Sequence, residues 1–247
     1  MAKLPSKKQR EALSYITDNQ TNFIGYGGAA FGGKSWLLCS YFTHACIAYP
    51  GTGWGLGRKE LVTLRKTTLV TLFKVFEDMK VFEGRDYRYN GQLNVIQFTN
   101  GSEIFLIDTA SKPADPLFTR FGGYELTGCG IDESAETSLE AINILFTRCG
   151  RRMNAEYGLK AKMIEAFNPV KNHVYYRYHK PSTTGTLRAT YKFVKSLPSD
   201  NPSPETEAYV QGILDNSDRV TIERLIHGNF DYEDDPTNMI DYAKCLD

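Results

Sequence analysis

Residues 28–35 read Gly-Ala-Ala-Phe-Gly-Gly-Lys-Ser, a full match to the phosphate-binding pattern G-x-x-x-x-G-K-[ST]. No other feature constrains the fold as much, because such a loop works only between a strand and a helix. Its glycines let backbone N–H groups turn inward around phosphates, and the following helix N-terminus adds partial positive charge. The flanks supply both elements. Residues 22–26 form an apolar run that suits a strand, and residues 36–49 contain neither Gly nor Pro and suit a helix. In this setting Lys34 would reach the β- and γ-phosphates of ATP, and the Ser35 hydroxyl would hold Mg²⁺. The expected nucleotide-binding set is therefore Gly28, Ala29, Ala30, Phe31, Gly32, Gly33, Lys34 and Ser35.

A cradle alone only binds. The second element is Thr127-Gly-Cys-Gly-Ile131-Asp132-Glu133, an apolar strand that ends in two acids, the Walker B pattern. Asp132 would hold Mg²⁺, and Glu133 would orient and deprotonate the attacking water. The alternative is that Glu133, Ser134 and Glu136 cap the helix that follows. An acid directly after the Walker B aspartate marks ATPases that activate water, and no N-K-x-D guanine-reading sequence is present.

Charge that develops on the γ-phosphoryl group calls for an arginine, worth about 10³–10⁵ in rate. Arg120, just before Phe121-Gly-Gly, is the first candidate as a catalytic residue. Arg148, Arg151 and Arg152 form a second cluster, and for each a structural or DNA-backbone role is equally open. Gln9 either bonds the adenine edge or is solvated. Asn168, followed by Pro169, either meets the γ-phosphate or its water from a strand tip, or marks an Asn-Pro turn.

Around these motifs, strand-like and helix-like segments alternate, which implies a parallel sheet with ligand at the carboxyl ends of its strands. Residues 7–16 read as a helix, 54–59 as a strand, 60–79 as one long amphipathic helix, and 124–131, 161–167 and 189–194 as strands. Asn90-Gly91 and Asn100-Gly101 separate three β-like runs over 87–108, the strongest short-range signal for hairpins. The fold class expected is α/β: a P-loop NTPase of the ASCE type, with a mainly parallel central sheet, an antiparallel β meander and a small C-terminal helical region. Residues 1–197 are read as the ATPase domain, and 198–247 as a linker or lid.

Composition narrows the partners. The 247 residues carry 29 basic and 29 acidic side chains, a net charge of zero. Nucleic-acid contact must then come from local patches or from an assembled ring. Arg58, Lys59, Arg65 and Lys66 are candidate phosphate contacts, though a solvated helix face explains them equally well. Five scattered cysteines and four dispersed histidines suggest neither a disulfide framework nor a zinc site. With no signal peptide and no membrane-length apolar run, a soluble intracellular protein is expected.

In this order the motifs resemble the ATPase motor domain of the large terminase subunit of tailed bacteriophages. A Gln-containing segment (residues 5–12) precedes the first strand, and the P-loop follows. Then come the basic segments Gly57-Arg-Lys-Glu60 and Leu64-Arg-Lys-Thr67, the run Ser102-Glu-Ile-Phe-Leu-Ile-Asp108, and Arg120-Phe-Gly-Gly. Ile131-Asp-Glu-Ser-Ala135, Ala166-Phe-Asn-Pro169 and a tail, Leu225-Ile-His-Gly-Asn-Phe230, complete the set. The resemblance covers nearly the whole chain.

The resemblance implies a DNA-packaging ATPase in the host cytoplasm. Its partners would be double-stranded DNA, a portal protein, a small terminase subunit and further copies in a ring, usually of five. It also implies that Asn168 couples hydrolysis to movement and that Arg120 is an arginine finger, acting in cis or across a subunit interface. Two departures stand out. The P-loop has Ala29-Ala30-Phe31-Gly32 where many terminases carry an arginine, and Ala166-Phe167 stand where the coupling motif often begins with Thr or Ser. A complete large terminase also has a nuclease domain. Asp231, Asp234, Asp235 and Asp241 lie in a short tail, so the sequence given reads as an isolated motor domain or separately encoded subunit without nuclease activity. The competing readings are a small-molecule kinase with residues 148–152 as a lid, a helicase core, and a nucleotide-gated assembly module inactive as a monomer.

Overall fold

The computed structural model describes residues 4–201 and 203–232. An eight-stranded sheet forms its centre, in the order β3-β4-β5-β2-β6-β7-β1-β8. In chain order the elements are α1 (Lys7–Ile16), β1 (Phe23–Gly28), α2 (Lys34–Ala48), β2 (Gly53–Arg58), α3 (Leu61–Lys66), α4 (Thr68–Asp78), β3 (Tyr87–Asn90), β4 (Val95–Phe98) and β5 (Glu103–Asp108). They continue with β6 (Gly128–Ile131), α5 (Leu139–Phe146), α6 (Asn154–Tyr157), β7 (Met163–Phe167), α7 (Lys180–Thr183), β8 (Tyr191–Ser196), α8 (Pro204–Asn216) and α9 (Arg219–Leu225). A 3₁₀ turn covers Thr119–Gly123, and a π-helical turn over Tyr175–His179 leads into α7.

Six neighbouring strands, β5 to β8 in that order, are parallel. The hairpins at Asn90-Gly91 and Asn100-Gly101 make β3, β4 and β5 antiparallel. β5 belongs to both systems, so the meander is continuous with the main sheet. β7 lies between β1, which leads into residues 28–35, and β6, which ends just before Asp132; this is the ASCE arrangement and puts three strand tips in a row at one edge of the sheet.

Side chains alternate across the sheet and split the core in two. Ile24, Tyr26, Ile164 and Ala166 pack with α1, α2 and α4 on one face. Phe23, Met163 and Phe167 face α5 and Tyr178 on the other. α2 is buried along most of its length, as expected of a helix apolar on nearly every side.

Two expected elements differ. The long helix over 60–79 is broken at Thr67 (φ −126°, ψ −75°) into α3 and α4. Thr67 directs its hydroxyl to the Thr63 carbonyl (2.8 Å), a local bond that competes with helix continuation. The strand expected over 124–131 is shorter, since ladder pairing begins only at Gly128. No helix among the described residues is long and apolar enough to cross a membrane.

Candidate functional site

Lys34, Ser35, Glu133 and Asn168, the last residue following β7, line one cleft of about 390 Å³ at the carboxyl ends of the strands, together with Trp36, Thr71 and Asn201. Each is placed by a strand tip or a helix start. The P-loop leaves β1 at Gly28 with φ +130°, where a Cβ would lie 2.2 Å from the Ser196 carbonyl oxygen, and enters α2 through Gly33 with φ +75°. Neither position accepts another residue without strain. The N–H groups of residues 31–36 meet no acceptor among the described residues. That row of consecutive donors at a helix N-terminus is what a polyphosphate requires.

Lys34 is 7% exposed and donates from Nζ to the Ala29 carbonyl oxygen at 2.6 Å. Burial pulls its pKa below the usual lysine value, opposed by the negative charges of Glu133 and Asp132. Asp132 is buried and accepts from Ser35 Oγ (3.1 Å) and from Thr68 Oγ1 (2.7 Å), with Arg58 Nη1 3.9 Å away. Ser35 and Asp132 thus form a hydroxyl–carboxylate pair fitted to Mg²⁺, which favours one or two carboxylates and completes its shell with water and phosphate. Among the described residues there is no group of three or more His, Cys, Asp or Glu that could hold a metal ion.

Glu133 sits in the left-handed region (φ 50°, ψ 47°), a conformation that costs about 1–3 kcal/mol and clusters at functional sites. Burial raises its carboxyl above the usual range and Asp132 adds to this, while Lys34 and Arg58 oppose it. Asn168 Nδ2 lies 3.3 and 3.1 Å from the two Glu133 carboxylate oxygens, so this residue does more than make a turn.

Other expected residues fall elsewhere. Gln9 is 1% exposed, not solvated. Its amide closes a capping box with Ser6 and donates to the Gly33 carbonyl oxygen at 3.0 Å, bracing the P-loop backbone. Arg120 does not line the cleft of Lys34 and Glu133. It pairs with Asp115 (2.7 Å), donates to Ala110 O, and packs on the rings of Phe118 and Phe121. Arg152 is fixed by Glu103 (2.6 Å) and the Gly51 carbonyl. Arg148 and Arg151 bond the Gly122 and Thr147 carbonyls. Arg58 turns inward to Thr67 Oγ1 (2.8 Å), and Arg65 donates to Gly91 O and Asn94 Oδ1, so of the basic group at 58–66 only Lys59 and Lys66 remain as exposed lysines. Asp231 accepts from Tyr175 Oη and pairs with His179. Asp234, Asp235 and Asp241 lie outside the described residues.

Several contributors carry no motif. Thr68 reaches Asp132 only because the helix breaks at Thr67. The C-terminal segment clasps the P-loop: Leu225 O accepts from Ala30 N (3.0 Å), Asn201 Nδ2 donates to Phe31 O (3.0 Å), and Tyr209 stacks on Phe31 with centroids 4.2 Å apart. Arg224 Nε donates to the Pro169 carbonyl at 3.0 Å, which joins α9 to the loop beyond β7.

This architecture has solved counterparts. The large terminase of a thermophilic bacteriophage, in complex with ADP, superposes with a TM-score of 0.68 at 19% identity over 92% of this chain and 54% of that one. The large terminase ATPase domain of a Thermus phage gives 0.64 at 12% identity, covering 92% of this chain and 94% of that domain. The chain has the fold of a phage large-terminase ATPase domain. The HK97 bacteriophage large terminase shares it, with a TM-score of 0.65 at 10% identity. The chain spans about half the length of the longer terminases, 54% and 50%. No protein-family model matches the sequence, and no curated protein sequence does.

Proposed function

We propose that this chain is the ATP-hydrolysing motor domain of a DNA-packaging terminase. The observation that carries the reading is the meeting of Lys34, Ser35, Asp132, Glu133 and Asn168 at neighbouring strand tips. In this reading the N–H groups of residues 31–36 and the Lys34 ammonium hold the triphosphate. Ser35 and Asp132 would hold Mg²⁺, which would supply positive charge against the triphosphate. Glu133 takes the proton of the attacking water. Its raised pKa suits that task, since a general base works best near the operating pH. The Asn168 amide orients Glu133, and its buried Oδ1, without a protein partner, can accept from that same water. Structures of the terminase from the thermophilic phage with ADP and with ATP-gamma-S support nucleotide binding in this fold.

Arg120 supplies charge relief to a neighbouring copy rather than to its own cleft, where Lys34 is the only basic residue among those that line it. This favours activity that rises with assembly into a ring on a portal, with double-stranded DNA as cargo and a small subunit selecting it. A small-molecule kinase is disfavoured, because Glu133 would activate water against transfer. The test is ATPase rate per subunit against protein concentration, with and without duplex DNA, for wild type and Arg120→Ala. The reading expects rates that climb with concentration and with DNA, and a variant that binds ATP but turns over slowly. A concentration-independent rate untouched by Arg120→Ala would count against a finger supplied in trans.

A further inference from the structure

Residues 166–199 contain six Lys and Arg (Lys171, Arg177, Lys180, Arg188, Lys192, Lys195), two His, four Tyr, and no Asp or Glu. The structure sorts these residues. Lys192 lies over the Tyr15 ring on the α1 face, and Lys195 faces Asp231 and Glu223. Arg177 and Arg188 line a cleft beside α5, and exposed Lys180 lies over the ring of Tyr176, which lines the same cleft.

This cleft, of about 620 Å³, is lined by Arg177, Arg188, His173, Tyr176, Tyr191 and Asn143 among others, and no acidic side chain lines it. His173 Nε2 and Arg177 Nη1 are buried in its lining without a hydrogen-bond partner, though both lie within 4.0 Å of the Glu165 carboxylate. Glu165 beneath them is 3.5 Å from Arg177 Nη1 and already accepts from Tyr178 Oη at 2.6 Å. Burial and the Arg177 charge push His173 down to about 4, so it faces the cleft as a neutral ring. Tyr176 is 59% exposed at the rim.

The rings here carry cations. Arg177 and Arg188 lie over Tyr191 at 5.3 and 5.7 Å, and Lys180 lies over Tyr176 at 5.9 Å. Tyr191 is also stacked on Phe23, with centroids 4.6 Å apart, so its ring is not free to stack on a base, and the cations beside it suit phosphate.

We infer that this cleft is a contact surface for the phosphate backbone of double-stranded DNA, read without regard to sequence. The inference rests on the motor reading above and deepens it by placing the DNA grip on the α5–α7 face, away from the basic group at residues 58–66.

The test is binding of a mixed-sequence duplex by fluorescence anisotropy across a salt series, with basal ATPase measured alongside. Wild type is compared with Lys180→Ala/Arg188→Ala and with Lys59→Ala/Lys66→Ala. Both pairs are exposed, and neither belongs to the nucleotide site. Each lost phosphate contact lowers the slope of log Kobs against log[salt] by about 0.9. The first double variant is expected to lose roughly 1.8 in slope with unchanged basal ATPase, and the second to bind like wild type. A wild-type slope in Lys180→Ala/Arg188→Ala, or tighter binding of the single strand than of the duplex, overturns this surface while leaving the motor reading intact. A wild-type protein that hydrolyses ATP but does not bind duplex overturns both.

Discussion

Asn168 donates from Nδ2 to both carboxylate oxygens of Glu133, at 3.3 and 3.1 Å. The two residues come from the tips of adjacent strands, β7 and β6, and the contact fixes a carboxylate that its left-handed backbone already turns toward the cleft. Asn168→Asp would replace the donor with a like charge and raise the Glu133 pKa further. A general base is lost as pH falls through its pKa, so the acid limb of kcat/KM should move to higher pH in this variant. Asn168→Ala should lower kcat with little change in ATP affinity. A pH profile identical to wild type in Asn168→Asp would uncouple the pair.

Thr68 holds the other oxygen of Asp132 at 2.7 Å while Ser35 takes the first. Partners that orient a metal-binding carboxylate typically contribute about 10–100-fold in affinity. Thr68→Val keeps the shape and removes the donor. The Mg²⁺ concentration that half-saturates ATP turnover should rise within that range. No change in Mg²⁺ dependence would remove Thr68 from the site.

Lys34 is buried against the Ala29 carbonyl and the acids of the cleft, so its removal should affect nucleotide more than fold. At ATP 100-fold above Kd, wild type should gain about 2.7 kcal/mol of stability by linkage, read as a rise in Tm. Lys34→Ala should fold and show no such rise. A full ATP-induced shift in the variant would contradict the assignment of the P-loop.

Lys162, 3% exposed along its side chain, ties β7 to the end of α1 through the Tyr15, Asp18 and Thr21 carbonyls and the Asp18 carboxylate. Burial pushes Asp18 up, but hydrogen bonds from Thr21, Lys162 and Gln20 outweigh it and leave the carboxyl well below its ordinary value of 3.8. Such a group contributes stability that is present above its unfolded pKa and lost as pH falls through the folded one. Lys162→Met leaves carbonyls without their donor and should cost about 1–3 kcal/mol in denaturant melts at neutral pH, and the part due to Asp18 should shrink below pH 3.8. A pH-independent loss would assign the effect to packing alone.

What the sequence makes legible is whatever is encoded locally. The octapeptide at 28–35, the acids at 132–133 and the two Asn-Gly turns each specify backbone geometry within a few residues, and the elements around them follow. Gln9 is harder, because its capping box is local but its bond to Gly33 needs α1 to pack beside the P-loop. Thr68 depends on a helix break, and a continuous apolar stripe through residues 60–79 hides that break. Tyr209 and Leu225 meet the P-loop only through the folding back of the C-terminal segment, which no short pattern encodes. Arg120 shows the limit from the other side. Its position before Phe121-Gly-Gly is plain in the sequence, yet its partner Asp115 and its distance from its own cleft emerge only in three dimensions.

In the proposed mechanism Glu133 activates water for ATP hydrolysis. The direct measurement is single-turnover hydrolysis by Glu133→Gln at saturating ATP and Mg²⁺, with nucleotide affinity determined on the same sample. Wild-type-like ATP binding is expected, with a rate lower by about 10²–10⁴, the usual contribution of a general base. Hydrolysis at the wild-type rate by Glu133→Gln would contradict it.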